Sequence, residues 1–345
     1  MVLASFLAIK WLTGLIPRHK AVLWILWKWC IYFSKHSARI LGAMNRLLLL
    51  LVLFCFFNKA YAQTKKITID GTQIAVQTAG LETRKEGEPV VVFESGFGTP
   101  MGHWDTILDE VSKRAALVAY DRPGVGDSEP DQELPTVKNV ADKLRKVLQG
   151  LHVKPPYVLV GHSLGGAYVR GFAVYFPQEL AGLVIIDPAD FTENYERIGQ
   201  YMLDAGMSKA HVDSVLVQRR TEPFRPDPKL PLSLREELQV LFDLRRSEFA
   251  EFKDKPLPNI PVSFITSGRY EPFPNAKPID EALFRSKMKF RIERWVNFVD
   301  AVPKGRFFYS ANAGHFVHRD DPRLVISSIS LVLHDSQTDK SKKDK

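Results

Sequence analysis

The chain has 345 residues, with 47 Lys and Arg against 39 Asp and Glu, a formal net charge of +8 and two cysteines. Eight of the positive residues and no acid fall in the first 62, so residues 63–345 carry 39 charges of each sign and are formally neutral. No basic stripe interleaved with aromatics is present, so nucleic acid is not an expected partner, and Cys30 and Cys55 both precede residue 63, which excludes a disulfide from the remainder.

The first 62 residues read as a leader. An apolar run over residues 47–57 is shorter than the roughly 20 residues that a membrane-spanning helix needs. It follows Met44-Asn45-Arg46 and precedes Ala60-Tyr61-Ala62, the small-x-small pattern of a signal-peptidase site. The expectation is a signal peptide starting at Met44, cleavage after Ala62, and export to a periplasmic or extracellular location with no membrane attachment after cleavage. The upstream apolar clusters, residues 21–27 and 29–33, are split by Lys28 and leave a membrane anchor as the alternative.

Residues 65–79 predict a hairpin turning at Asp70-Gly71. Residues 89–93 form a continuous apolar run, as in a buried parallel strand, and lead into Glu94-Ser95-Gly96-Phe97-Gly98. His103 and Trp104 follow, either at a pocket entrance or in the core. The next strand, 116–120, leads into Asp121-Arg122-Pro123-Gly124-Val125-Gly126-Asp127-Ser128, a turn in which Asp121 and Arg122 can pair locally. A helix is predicted over 136–148, with Val140, Leu144, Val147 and Leu148 on one face and Thr136 as its cap.

The most informative stretch is next. Residues 157–160 predict a strand, Gly161-His162-Ser163-Leu164-Gly165-Gly166 a sharp turn, and 167–175 a helix. This is G-x-S-x-G in a strand–turn–helix context, which presents a serine hydroxyl at the end of a sheet. Gly161 and Gly165 leave room for strand and helix to approach, and the first free N–H groups of the helix face developing negative charge. A strand at 181–186 then ends in Asp187-Pro188-Ala189-Asp190.

From residue 191 to 258 the pattern becomes helical, with runs near 195–203 and 234–252 joined by a link containing Pro223, Pro226, Pro228 and Pro231. This predicts an inserted cap, with Met202, Met207, Phe224, Leu241 and Phe242 as candidate pocket walls. Core elements resume with a strand at 260–266, then Gly268-Arg269-Tyr270-Glu271, a helix at 281–299 and a strand at 306–310. The sequence then reads Gly314-His315-Phe316-Val317-His318, with His318 expected as a loop residue. A helix from 322 to about 333 precedes a polar tail, 336–345, expected to be disordered. The expected fold is α/β: a mostly parallel sheet covered by helices on both faces, its core split into 63–190 and 259–335 around the cap.

The Ser163 turn, the D-R-x-G-x-G-x-S run at 121–128 and the His315 loop resemble the α/β-hydrolase superfamily, in its capped esterase, lipase and peptidase branches. The resemblance implies Ser163 as nucleophile, His315 as general base and acid, and the N–H groups of Phe97 and Leu164 as an oxyanion hole. Glu94-Ser95-Gly96 stands where the usual form has His-Gly. The acid is open between Asp187 and Glu271, with Asp190 third; its immediate strand-end position favours Asp187. No metal or cofactor is implied. Dehalogenases and epoxide hydrolases of the superfamily place aspartate at the nucleophile position, so Ser163 points to acyl transfer on a small-molecule carboxylic ester. Two alternatives stay open: a proline-iminopeptidase-like or amide hydrolase, which needs an acidic amine site (Glu193, Glu196 and Asp204 are candidates), and a non-catalytic interaction protein on a hydrolase scaffold.

Overall fold

The computed structural model describes residues 63–343, apart from Phe273. The expectations for the leader therefore lie outside the described residues. Eight strands form one sheet in the order β1-β2-β4-β3-β5-β6-β7-β8. The first two, β1 (Gln63–Ile69) and β2 (Thr72–Ala79), form the antiparallel hairpin, with Asp70 and Gly71 at φ 50° and 85°, the positive dihedrals that a two-residue turn of matching twist requires. β2 also pairs antiparallel with β4 (Leu117–Tyr120). From there β3 (Val90–Glu94), β5 (Tyr157–His162), β6 (Leu180–Ile186), β7 (Val262–Ser267) and β8 (Gly305–Ser310) run parallel.

The central strands are apolar along their whole length because both faces are covered. On one face Val90, Val92, Leu159, Leu183 and Ile185 pack beneath α2 (Val137–Gly150) and α3 (Leu164–Tyr175). On the other, Val91, Phe93, Val158, Val160 and Ile186 meet α1 (Asp105–Ser112) and the carboxyl-terminal helix. Thr136 caps α2 as expected, its hydroxyl accepting from the Asn139 N–H at 3.2 Å. Trp104 is core: it is 1% exposed and its indole N–H donates to Ser95 Oγ at 3.0 Å.

The cap has three helices, α4 (Tyr195–Asp204), α5 (Lys209–Thr221) and α6 (Leu232–Arg246). α5 escapes the sequence pattern because Val212 is its only buried residue; its start is fixed by Ser208, which accepts from the His211 N–H. α6 stops before the expected residue 252, since Glu248 and Phe249 adopt left-handed φ values of 52° and 51°. α7 (Pro278–Asp300) returns the chain to the core, burying Trp295 against Phe264. After the short α8 (Val317–Asp320), α9 (Pro322–Lys343) runs through most of the tail expected to be disordered. No Gly or Pro interrupts it, and Asp335 holds Arg306 of β8 at 2.6 Å. No helix among the described residues is long and apolar enough to cross a membrane.

Candidate active site

The parallel strands deliver their loops to one edge of the sheet, and the predicted residues meet there. Ser163 occupies the turn between β5 and α3 at φ 54°, ψ −119°, a conformation that costs a non-glycine residue about 1–3 kcal/mol. The turn is held by its neighbours. The Ser163 N–H donates to the Ile186 carbonyl at 3.0 Å, and the Ser163 carbonyl accepts from the N–H groups of Gly166 and Ala189. The glycines are steric requirements. A Cβ on Gly161 would lie 2.5 Å from the Gly165 carbonyl oxygen, and one on Gly165 would lie 2.3 Å from that of Glu94.

His315 follows β8. Its Nε2 lies 2.9 Å from Ser163 Oγ and its Nδ1 lies 2.6 Å from Asp187 Oδ2. The carboxylate can only accept, so Nδ1–H donates to it and Nε2 is left to accept from the serine hydroxyl. Behind this chain His162 Nε2–H donates to the His315 carbonyl at 2.8 Å, tying the loop to the serine turn. Burial, with the nearby His315 acting in the same direction, pushes His162 down to about 3.

Asp187 is 3% exposed and sits at the end of β6, where its N–H donates to the Ile265 carbonyl. Its Oδ1 accepts from Thr266 Oγ1 at 3.0 Å and from the Ser267 N–H at 3.1 Å. Burial alone would raise its carboxyl. The Arg291 charge 3.6 Å away and the hydrogen bond from His315 outweigh burial and hold it well below the usual carboxylate range. Glu271 is elsewhere: it is exposed, bound to Arg269 at 2.7 Å, with no hydrogen bond to His315. Asp190 is turned toward Arg294 and Arg291.

The loop after β3 closes the other side. A Cβ on Gly96 would stand 3.1 Å from Ser163 Cβ, so the backbone of this loop lies directly against the serine. Neither the Phe97 nor the Leu164 N–H makes a hydrogen bond within the described residues. The loop is fixed by Arg122. The expected local pair with Asp121 does not form. Instead Arg122 reaches Glu94 at 2.6 Å and Glu237 of α6 at 2.7 Å, and donates to the carbonyls of Ser95 and Gly96. Asp121 accepts from the Met101 and Asp127 N–H groups.

The model of the alpha/beta hydrolase family matches residues 91–327, from within β3 to the first turns of α9. This chain belongs to the alpha/beta hydrolase family. The uncharacterized protein YqjL of Bacillus subtilis is 24% identical over 271 residues, covering 76% of this chain and 88% of that protein. The putative carbamate hydrolase RutD of Cronobacter turicensis is 35% identical over 104 residues, 29% of this chain and 38% of its own length. Among solved structures, the epoxide hydrolase CorEH matches with a TM-score of 0.52 at 17% identity, over 79% of this chain and 99% of that one. AqDC, which cleaves the ring of the Pseudomonas quinolone signal, matches with a TM-score of 0.53 at 16% identity, over 78% and 100%. At these identities the two structures establish a shared fold, and with the family they establish a hydrolase scaffold.

A cavity of about 490 Å³ opens in front of Ser163 and His315 beneath the cap. Of the residues expected to line it, Leu241 and Phe242 do. Met202 is buried in a cap cluster with Tyr195, Ile198, Tyr201 and Val212, against which Met207 packs, and Phe224 stacks on Phe242 with ring centres 5.0 Å apart. Of the candidate amine-binding acids, only Glu193 faces the cavity, and it lies 3.5 Å from Lys287 and 3.3 Å from the Tyr201 hydroxyl. Sequence reasoning missed the charged character of this wall, since its side chains come from the loop after β6, from α5, α6 and α7, and from the turn after α6.

Proposed function

We propose that the protein is a serine hydrolase that cleaves small-molecule carboxylic esters through an acyl-enzyme. The observation that supports this most is the hydrogen-bonded series Ser163 Oγ, His315, Asp187, at 2.9 and 2.6 Å.

In this reading Ser163 Oγ attacks the ester carbonyl carbon while its proton passes to His315 Nε2. The carbonyl oxygen gains negative charge and accepts from the Phe97 and Leu164 N–H groups. His315 then gives the proton to the departing alkoxide, leaving the acyl group on Ser163. A water takes the place of the alcohol, loses a proton to His315 and attacks the acyl carbon. Collapse returns the proton to Ser163 Oγ and frees the acid. Asp187 stays ionised throughout, fixing the imidazole orientation and stabilising the imidazolium.

The test compares p-nitrophenyl esters of graded acyl length with amino-acid arylamides, for the wild type and Ser163→Ala. Ester turnover that disappears in the variant is expected. Turnover retained by Ser163→Ala, or arylamides cleaved faster than esters, would count against the reading. We further propose export with cleavage after Ala62, so that secreted material begins at Gln63 by amino-terminal sequencing. A mature chain that retains Trp24 would instead favour an anchor.

A further inference from the structure

We propose that the cavity in front of Ser163 selects esters carrying a second, anionic group, a carboxylate or a phosphate, which is held by Arg219 and Arg245. This rests on the serine-ester reading above and names its substrate class.

The walls are charged to a degree that a simple alkyl ester does not need. Five basic side chains face the cavity: Arg219, Arg245, Arg246, Lys287 and Arg291. The four carboxylates that face it all have partners inside the protein. Asp187 is held by His315, Thr266 and the Ser267 N–H. Asp190 is bound by Arg294, with Arg291 at 3.6 Å. Glu193 lies 3.5 Å from Lys287, and Glu248 accepts from the Tyr195 N–H at 2.6 Å.

The cations are less evenly served. Arg246 donates to the carbonyls of Arg220 and Glu222, so it holds α5 and the residue after it against α6. Arg291 and Lys287 share the acids just named. Arg219 and Arg245 remain, and neither side chain has a hydrogen bond or an ion pair among the described residues. Each lies in the last turn of its cap helix, α5 or α6. A helix carboxyl end favours a basic residue. That accounts for arginines at these positions, but not for two of them facing the cavity that also holds Ser163.

Both arginines are exposed to the water of the cavity, so an incoming anion would meet free guanidinium groups in place of that water. The cavity walls still desolvate Arg245 enough to lower its pKa, which Glu193 and Asp190 only partly offset. Lys287 is lowered for the same reason. A guanidinium presents a planar fork that matches carboxylate and phosphate oxygens in pairs, and such charge-assisted bonds strengthen out of bulk water. An ester with an anionic second group could place its carbonyl at Ser163 and that group on the two arginines. An uncharged ester of the same length would leave them unpaired.

The experiment compares mono-p-nitrophenyl glutarate with p-nitrophenyl pentanoate. The ratio of their kcat/KM values should exceed about ten in favour of the anionic ester, the factor given by about 1.4 kcal/mol, and should fall with added NaCl. The double change Arg219→Gln, Arg245→Gln should lower that ratio about tenfold or more, chiefly through KM. A wild-type ratio near one, or a ratio that the double change does not move, overturns the proposal. Binding is followed separately by calorimetric titration of glutarate into Ser163→Ala, where no turnover is needed. Uptake of glutarate that is lost with the two arginines supports the proposal even if the serine-ester reading fails, and no uptake of either glutarate or inorganic phosphate overturns it. Inorganic phosphate titrated alongside separates the two anions, the tighter binder naming the class.

Discussion

Replacing Glu237 by alanine would test how the cap is joined to the site. Glu237 enters from α6 and is 2% exposed. One oxygen binds Arg122 Nε at 2.7 Å and the other accepts from the Gly98 N–H at 2.7 Å. Removing one partner of a buried ion pair costs about 3–5 kcal/mol. Glu94 still faces Arg122, so the lower end applies, about 3 kcal/mol. The unpaired Gly98 N–H adds about 1 kcal/mol. The sum is about 4 kcal/mol, which for a domain of this size lowers Tm by roughly 7 °C. Circular dichroism melts of the wild type, Glu237→Ala and Glu237→Gln provide the measurement. The glutamine variant keeps an acceptor for Gly98 and should lose about half as much. Because Gly98 adjoins Phe97, kcat on a good ester should also fall, by at least about tenfold. A Tm for Glu237→Ala within about 2 °C of the wild type would refute the reasoning, since it would mean that the network carries little of the cap's attachment.

The remaining predictions concern the site and its buried histidines. Asp187→Asn should lower kcat by at least about a hundredfold, toward the ~10⁴-fold loss known for a serine-protease triad, and Glu271→Gln by less than about tenfold. The reverse order would move the acid to Glu271. Gly96→Ala would set a methyl 3.1 Å from Ser163 Cβ and His162 Nδ1, and should cost about a hundredfold in kcat with little change in KM; an unchanged kcat would contradict the assigned loop position. His162 and His318 are held neutral by burial, at about 3 and about 2. Unfolding lets each titrate near 6.5, so the unfolded state binds more protons below that pH and stability declines as pH falls. At pH 5 each should contribute a loss of about 2 kcal/mol relative to pH 8, read from urea unfolding. Asp187, with a depressed carboxyl, keeps its contribution above about 3.9 and loses it only below, so it does not add to this decline. Equal stability at the two pH values would refute the assignment.

What the sequence made legible was local or periodic. The Ser163 turn is encoded within a few residues, by a β-branched strand, two obligatory glycines and a helix, so its geometry could be read without the fold. The buried strands announced themselves as apolar runs because both sheet faces are covered. α5 did not, since only Val212 faces the interior. The length of α9 was hidden by its polar composition. The choice between Asp187 and Glu271 could be argued from strand ends, but which carboxylate meets His315 depends on where the loop after β7 travels. Arg122 shows the same limit. Its partner Glu237 is 115 residues away, and the local pairing with Asp121 that the sequence suggested is displaced by it. The charged cavity wall is assembled from two loops and three helices and has no contiguous signature at all.

The proposed chemistry stands or falls on which atom is acylated, and a fluorophosphonate probe reads this directly. Peptide mapping by mass spectrometry after labelling should find one adduct, on Ser163, and Ser163→Ala should remain unlabelled with its circular dichroism unchanged. An adduct on a different serine, or labelling that persists in the folded Ser163→Ala variant, would contradict the assignment of Ser163 as the nucleophile.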